Sequence, residues 1–185
     1  ALGLLEMGKH VYCEAPMASS IDDLQTMARA AKGAKTAFQV GHPARSNPVY
    51  KLARSFYRSG SIDDTVSMHG SWHRKLSWRT PTQDASKEKA LNWRLYNATS
   101  SGLPGEVGSH LYDALHWFTK KVPTSVKGQG AKLLYDDGRE VPDTVLCQFG
   151  LDGGVSLVIE ATLANSFGSS HVLLNGTMGT IKLAG

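Results

Sequence analysis

The sequence predicts an α+β fold, in which the end of a parallel α/β unit is followed by an open, mainly antiparallel sheet with one principal helix. Helical and strand-like runs alternate over the first part of the chain, and that order is typical of parallel βαβ units. From residue 65 onward, strand-like runs separated by turn residues dominate, with one helical pattern among them. The change of pattern indicates two parts with different sheets.

A helix, a strand and a second helix are predicted at the start of the chain. The apolar helical pattern of residues 1–8 closes at Gly8, because glycine is a common residue at helix C-termini. A strand-like run follows over residues 10–13. Ser19 or Ser20 then caps the next predicted helix, and two aspartates occupy its positive first turn.

A second strand and a third helix continue this pattern. Residues 36–40 form a strand-like run, and the pair Asn47-Pro48 has the cap and the first-position proline of a helix that Gly60 ends. Four residues at helical spacing supply the apolar face of this helix: Val49, Leu52, Ala53 and Phe56.

The remainder of the chain predicts one sheet with a helix. Residues 65–73 alternate in polarity, which predicts a half-buried strand, and a long polar loop, 74–104, separates them from a helix over 105–118. Later strand-like runs occupy residues 125–130, 144–151, 155–163, 171–174 and 180–183. The Asp152-Gly153 pair predicts a hairpin. The alternation over 144–163 predicts an apolar sheet face larger than the helices can cover.

Composition excludes several classes of protein. The chain is 41% hydrophobic and 19% charged, which is typical of a globular protein. Its formal charge of +4 comes from basic residues that are spread out rather than clustered, so we expect no nucleic-acid partner. No apolar run approaches the roughly 20 residues of a membrane helix, so we expect no membrane partner. Cys13 and Cys147 are too few for a disulfide framework, and we expect both thiols to be buried.

The segment 101–113 is the strongest candidate for catalytic chemistry. If it is helical, four residues share one face: Glu106, His110, Asp113 and Trp117. A carboxylate one turn from an imidazole can orient the ring and suit it to proton transfer near neutral pH. The alternative is a polar helix face with a hydrogen-bonded histidine, because Glu-x-x-x-His spacing is common in helices.

Two further groups of residues are candidate binding sites. His69 and His73 lie on one face of a predicted strand, but no third metal ligand occurs at a recognisable spacing, so we expect solvent-exposed histidines and no metal. Arg45 follows a predicted parallel strand, where open α/β sheets bind ligands, and could contact a phosphate or carboxylate; the alternative is a surface arginine. Glu14 also lies at the end of a predicted parallel strand and is a candidate ligand-binding residue for the same reason. No glycine-rich phosphate loop occurs in the sequence.

Four segments carry a family resemblance: Gly8–Pro16, Gln39–Pro48, Asn92-Trp93-Arg94 with Gly105–Asp113, and Asn175–Ile181. In this order they resemble the Glu-Lys-Pro segment, the junction between domains, the start of the catalytic helix and a late hairpin of the Gfo/Idh/MocA oxidoreductases. These are the relatives of glucose–fructose oxidoreductase and inositol dehydrogenase. The matches follow the order of that family over essentially the whole chain.

The resemblance implies the end of a Rossmann-type NAD(P)-binding domain over residues 1–45 and an α+β substrate and oligomerisation domain over 46–185, truncated at its end. It implies hydride transfer between NAD or NADP and a sugar, polyol or related substrate, and a homo-oligomer formed through the sheet face. His110 and Glu106 would be catalytic. By the same resemblance, the cofactor would contact Glu14, Pro16, Arg45, Trp93 and Arg94, and the substrate would contact Arg94, His110 and Asp113.

Two departures from the family leave the activity open. Ala15 stands where the family has a lysine between glutamate and proline, and the glycine-rich first half of the Rossmann domain is absent. We therefore expect a fragment without its N-terminal nucleotide-binding half. The alternatives are a catalytically decayed sugar-binding or scaffolding member and an NAD-dependent glycosidase. We expect a cytoplasmic location, and export stays open because the true N-terminus is missing.

Overall fold

The computed structural model describes residues 1–184, which form two compact units. The first unit, Ala1–Pro43, contains helices and strands in alternation: α1 (Leu2–Glu6), β1 (Val11–Glu14), α2 (Ile21–Gly33) and β2 (Phe38–Gly41). Strands β1 and β2 pair in parallel. The Oγ atom of Ser20 accepts a hydrogen bond from the Asp23 backbone N–H at 3.1 Å, so Ser20 is the cap of α2. The predicted order of elements is confirmed.

The second unit, which begins at Ala44, contains a six-stranded sheet. Its helices are α3 (Pro48–Arg58), α4 (Glu88–Leu91) and α5 (Ser109–Thr119). Its strands are β3 (Thr65–His73), β4 (Pro123–Ala131), β5 (Thr144–Leu151), β6 (Ser156–Thr162), β7 (Ser170–Gly176) and β8 (Thr180–Ala184). Within residues 1–184, no helix has the length and apolar character needed to cross a membrane.

The sheet of the second unit is mainly antiparallel, as predicted. Its strand order is β4-β5-β6-β3-β7-β8, in which β3 and β6 are parallel and the other neighbours are antiparallel. The predicted hairpin between β5 and β6 turns at Asp152–Gly154. Gly153 and Gly154 have φ values of 75° and 78°, which side-chain-bearing residues rarely adopt, so the turn depends on glycine.

Helix α5 packs on one side of this sheet, which we call the covered face. A Cβ atom added to Gly70 of β3 would lie 3.0 Å from the Cβ of Leu111, so the strand and the helix approach each other closely there. Residues of this face that are buried in the core are Met68, Val145, Leu157, Ile159, Ala161, Val172 and Leu174. Alternation along β5 and β6 therefore places most of their apolar residues toward the helix.

The other side of the sheet, which we call the open face, is mostly polar. By the strand register, its central residues are His69, Ser71 and His73 of β3, Leu146 and Gln148 of β5, Val158 and Glu160 of β6, and His171 and Leu173 of β7. The expected large uncovered apolar face is only partly present, because most apolar residues of 144–163 lie on the covered face whereas Leu146 and Val158 lie on the open face.

The packing of α3 differs from the predicted apolar face. Val49, Leu52 and Phe56 are all more than half exposed, and only Ala53 of the predicted face is buried. The residues that pack against the core are Tyr50, Ala53 and Tyr57, whose spacing defines a different stripe of the same helix. The helix therefore uses its tyrosine rings rather than its most apolar residues for packing.

Both cysteine thiols are less buried than the sequence suggests. Cys13 and Cys147 are free and half-buried. Burial is still sufficient to raise the pKa of the Cys147 thiol above its ordinary value. The reason is that Cys147 lies on β5, one strand from the sheet edge, where helix α5 no longer covers the strand completely.

Candidate active site

The predicted catalytic segment begins with a π-helical turn. Pro104–Gly108 is π-helical, and the α-helix α5 begins only at Ser109. A π-helix closes its hydrogen bonds five residues apart, so its turn is wider than an α-helical turn. The predicted helix is therefore present, with a π-helical rather than an α-helical first turn, and the shared face of Glu106 and His110 stays a prediction. His110 lies half-buried in the first turn of α5.

Glu106 is a nearly buried carboxylate with two donors. The Nε atom of Arg94 lies 3.4 Å from one carboxylate oxygen, and the Oγ atom of Ser100 donates to the other at 3.5 Å. The Glu106 side chain is 10% exposed, whereas that of Arg94 is 50% exposed. The guanidinium of Arg94 also lies over the ring of Trp93, 4.6 Å from its centroid. Glu106 therefore holds the guanidinium of Arg94 in place, while half of the Arg94 side chain remains exposed to solvent.

The turn that carries Trp93 and Arg94 is held on both sides. Asn92 is fully buried; its Oδ1 accepts from the Thr80 N–H at 2.7 Å and its Nδ2 donates to the Thr80 carbonyl at 3.0 Å. The carbonyl of Leu95 accepts from the Glu140 N–H at 2.8 Å. The sequence identifies Asn92 only as part of the Asn92-Trp93-Arg94 motif, and its bonds to Thr80 could not be predicted because the two residues lie 12 positions apart.

Arg45 and Asp113, which the resemblance assigned to cofactor and substrate, form a two-bond ion pair. Arg45 Nε donates to Asp113 Oδ2 at 2.8 Å and Arg45 Nη2 donates to Oδ1 at 2.5 Å. The bond to Asp113 raises the pKa of Arg45 above its ordinary value. Asp113 is buried in α5, so this pair attaches the start of the second unit to the helix that carries His110.

Glu14 and Pro16 lie at the end of β1 in the first unit. Glu14 pairs with Gly41 of β2, and a Cβ atom at Gly41 would lie only 2.8 Å from the Glu14 Oε2 atom. The missing side chain at Gly41 therefore leaves room for the carboxylate. The Ala15-Pro16 peptide bond is cis. The carboxyl ends of β1 and β2 are adjacent, which is where ligands bind in open α/β sheets.

His69 and His73 are not the solvent-exposed pair that the sequence suggested. Their side chains are 29% and 17% exposed, and Nε2 of His73 lies 2.5 Å from a Glu160 oxygen. Among residues 1–184, no three or more His, Cys, Asp or Glu side chains are arranged to hold a metal ion.

The fold and the site together define a class of protein. A parallel α/β layer is followed in the chain by an open, mainly antiparallel sheet, whose main helix carries His110 in its first turn and an Asp113 that is paired with Arg45; Rossmann-type oxidoreductases have this architecture. Residues 50–182 match the GFO/IDH/MocA C-terminal domain, and residues 1–42 match the oxidoreductase family with an NAD-binding Rossmann fold. The chain belongs to the Gfo/Idh/MocA family.

Two curated relatives and one solved structure show what the chain is similar to. The chain is 27% identical to 2,7-anhydro-N-acetylneuraminate hydratase of Escherichia coli over 95% of its own length and 45% of that protein. It is 27% identical to levoglucosan dehydrogenase of Pseudarthrobacter phenanthrenivorans over 61% of its length and 27% of that protein. A structure of levoglucosan dehydrogenase with NADH and levoglucosan superimposes with a TM-score of 0.82 at 22% identity, over 99% of this chain and 50% of the other. The chain thus spans about half the length of relatives it matches from end to end.

Proposed function

We propose that this chain is the C-terminal portion of an NAD(P)-dependent oxidoreductase that acts on a sugar, polyol or related substrate. The observation that carries the proposal is the succession of two family matches in one chain, an NAD-binding Rossmann fold over residues 1–42 and the C-terminal domain over 50–182. Levoglucosan dehydrogenase, scyllo-inositol 2-dehydrogenase and D-xylose 1-dehydrogenase are among the relatives, which favours a hydroxylated carbon as the site of oxidation. Since these relatives carry the names of enzymes, a decayed scaffolding member is the less favoured alternative.

His110 is the proposed proton-transfer residue. An imidazole in the first turn of α5 can take the hydroxyl proton of the substrate as the carbon is oxidised. A bound nicotinamide would supply the hydride acceptor. Glu106 fixes Arg94, and the exposed half of Arg94 with the Trp93 ring offers a donor and an apolar surface to the substrate or cofactor.

The residues of this chain are suited to contact only part of a bound dinucleotide cofactor. In the first unit, Glu14 and Pro16 lie at the carboxyl end of β1, beside the carboxyl end of β2, where ligands bind in open α/β sheets. In the second unit, Arg45 contributes a cation already paired with Asp113. A pyrophosphate needs a glycine-rich loop at a helix N-terminus, which this sequence lacks. NAD or NADP is therefore proposed as the cofactor of the longer protein.

The decisive test is His110→Ala in the full-length protein that contains this chain. We expect the turnover number to fall about 10²–10⁴-fold, because a general acid or base is lost, while the dissociation constant of the cofactor changes little. His171→Gln on the open face is the matched control and should leave turnover unchanged. Near wild-type turnover in His110→Ala would overturn the assignment.

A second candidate function is a reaction in which the nicotinamide is not consumed, such as the NAD-dependent glycosidase considered above. The observation in its favour is the relative named as a hydratase, which matches 95% of this chain. The two candidates differ in stoichiometry. A dehydrogenase forms one reduced nicotinamide per product, whereas the alternative forms product without net absorbance change at 340 nm.

We also propose that a second copy of the chain covers the open face. The contacts of α5 with the sheet lie on the covered face, and on the other side His69 and Glu160 are still 29% and 38% exposed. Six strands give a flat area of about 600 Å² per copy, near the lower end of stable interfaces, which bury roughly 600–1,000 Å² per partner. The edge strand β4 carries Pro123, Lys127 and two glycines, which disfavour edge-to-edge pairing.

A further inference from the structure

Residues 132–143 connect β4 to β5 and contact the turn Trp93–Leu95 of the candidate site; we call them the β4–β5 connection. The backbone N–H of Glu140 donates to the carbonyl of Leu95 at 2.8 Å. The Oε2 atom of the same glutamate accepts from the backbone N–H of Asn97 at 2.9 Å. Glu140 therefore bonds the end of this turn through both its backbone and its side chain.

The start of the β4–β5 connection is fixed by a buried carboxylate. Asp143 is 0% exposed, and its oxygens accept from three successive backbone N–H groups: Leu133 at 3.0 Å, Leu134 at 2.9 Å and Tyr135 at 3.0 Å. Burial by itself would raise the pKa of Asp143, but these bonds lower it below its ordinary value. The carboxylate thus holds this part of the connection in one conformation.

A buried arginine fixes the connection immediately before Glu140. The guanidinium of Arg139 lies over the ring of Tyr135, 4.6 Å from its centroid, and donates to both oxygens of Asp137. It also donates at 3.1 Å to the Oγ atom of Ser77, in the segment that leads from β3 to the turn. The backbone that carries Glu140 is therefore held before its side chain reaches the turn.

The side chain of Glu140 has no part in the hydrophobic core, because the residue is exposed. The alternative role is that of an ordinary surface carboxylate. Its bond to Asn97 favours a more specific one, since a charged acceptor makes a stronger hydrogen bond than a neutral one. Half of the Arg94 side chain in the same turn is exposed, so burial alone does not fix its position. Bonds at the ends of the turn must do so.

We propose that Glu140 is a positioning residue, which holds the turn so that Trp93 and Arg94 present their side chains to the substrate. The inference rests on the proposed function and adds to it a residue that acts through the turn. Loss of the carboxylate releases the Asn97 N–H, and the turn must then be ordered when the substrate binds, which lowers affinity. Proton transfer is unaffected, because His110 lies on α5.

Steady-state kinetics of Glu140→Ala and Glu140→Gln in the full-length protein that contains this chain test the inference, with levoglucosan, scyllo-inositol and D-xylose as substrates. We expect Glu140→Ala to raise KM about three- to tenfold, the effect of one partly exposed hydrogen bond, and to change kcat by less than about twofold. The backbone bond to Leu95 remains in this variant. Glu140→Gln keeps an oxygen that can accept from Asn97, and should restore most of the affinity. Asp136→Ala removes an exposed carboxylate from the same connection and is the matched control.

Hydrogen exchange of peptides that cover residues 92–97 follows the turn without any substrate. We expect faster exchange there in Glu140→Ala and wild-type rates in Glu140→Gln and Asp136→Ala. Unchanged exchange or an unchanged KM in Glu140→Ala overturns the inference, as does a glutamine variant that is as impaired as the alanine variant. If the wild-type protein turns over none of the three substrates, the proposed function is contradicted, and exchange still decides whether Glu140 holds the turn.

Discussion

The two faces of the six-stranded sheet are built from the same strands but differ in burial and in polarity. In β6, Leu157 on the covered face is 1% exposed, whereas its neighbour Val158 on the open face is only half-buried. The covered face is apolar across β5, β6, β3 and β7, and α5 closes it. The open face carries histidines, a glutamate and lysines at its edges. The buried apolar residues of the sheet thus lie mainly on one face.

The strongest test of this difference compares neighbouring residues of β6. Leu157→Ala should lower the free energy of unfolding by about 2–5 kcal/mol, because it removes buried methyl groups and leaves a cavity. Val158→Ala is the matched control on the open face and should cost roughly 1 kcal/mol or less. Urea denaturation of both variants measures the two effects. Equal losses would show that both faces contribute equally to the core.

A smaller expected effect compares two glycines of the sheet, Gly70 beneath helix α5 and Gly128 in the edge strand β4. Gly70→Ala places a methyl group 3.0 Å from Leu111, so we expect a loss of about 1–3 kcal/mol from overpacking. Gly128→Ala in the edge strand β4 meets its nearest atom, the Cys147 sulfur, at 3.5 Å. That is ordinary contact, and the change should be close to neutral. Melting temperatures of the two variants check the comparison, which fails if Gly128→Ala is as destabilising as Gly70→Ala.

The smallest predicted effect concerns a polar clamp that belongs to neither face. Arg139, whose side chain is 0% exposed, donates to both oxygens of Asp137 at 2.8 and 2.7 Å, and these bonds lower the pKa of Asp137 to about 2. Because the folded pKa lies below the ordinary value, the stabilisation is present above about pH 4 and is lost as the pH falls toward 2. Its size is of order 1 kcal/mol.

Asp137→Asn should remove this pH-dependent contribution, and thermal unfolding between about pH 5 and 2 measures it. Asp136→Asn changes the exposed neighbour and is the control. An unchanged slope of stability against pH in Asp137→Asn would contradict the assignment. The clamp was not found from the sequence, since nothing in Asp136-Asp137-Gly138-Arg139 distinguishes it from an ordinary polar turn.

The strands were predictable because local alternation is a property of the backbone. The limits of β5 agree with prediction, and those of β4, β6 and β8 differ by one to two residues. The helices were predicted less completely. The apolar stripe of α3 was assigned to Val49, Leu52 and Phe56, but Tyr50 and Tyr57 pack instead, because the neighbouring helix offers Phe118 as an aromatic partner. The π-helical turn at Pro104–Gly108 has no signal in residue spacing.

The sequence by itself determined the order of helices and strands, the family resemblance and the residues of the candidate site. Those properties depend on short segments, where backbone preference and motif spacing act locally. Tertiary structure alone decided which of these residues meet. Arg45 and Asp113 are 68 positions apart and pair only because α5 packs beside the start of the second unit. His69 meets His171 only because β3 pairs with β7 rather than with another strand. Strand order reflects the packing of the whole sheet, so no local pattern could specify it.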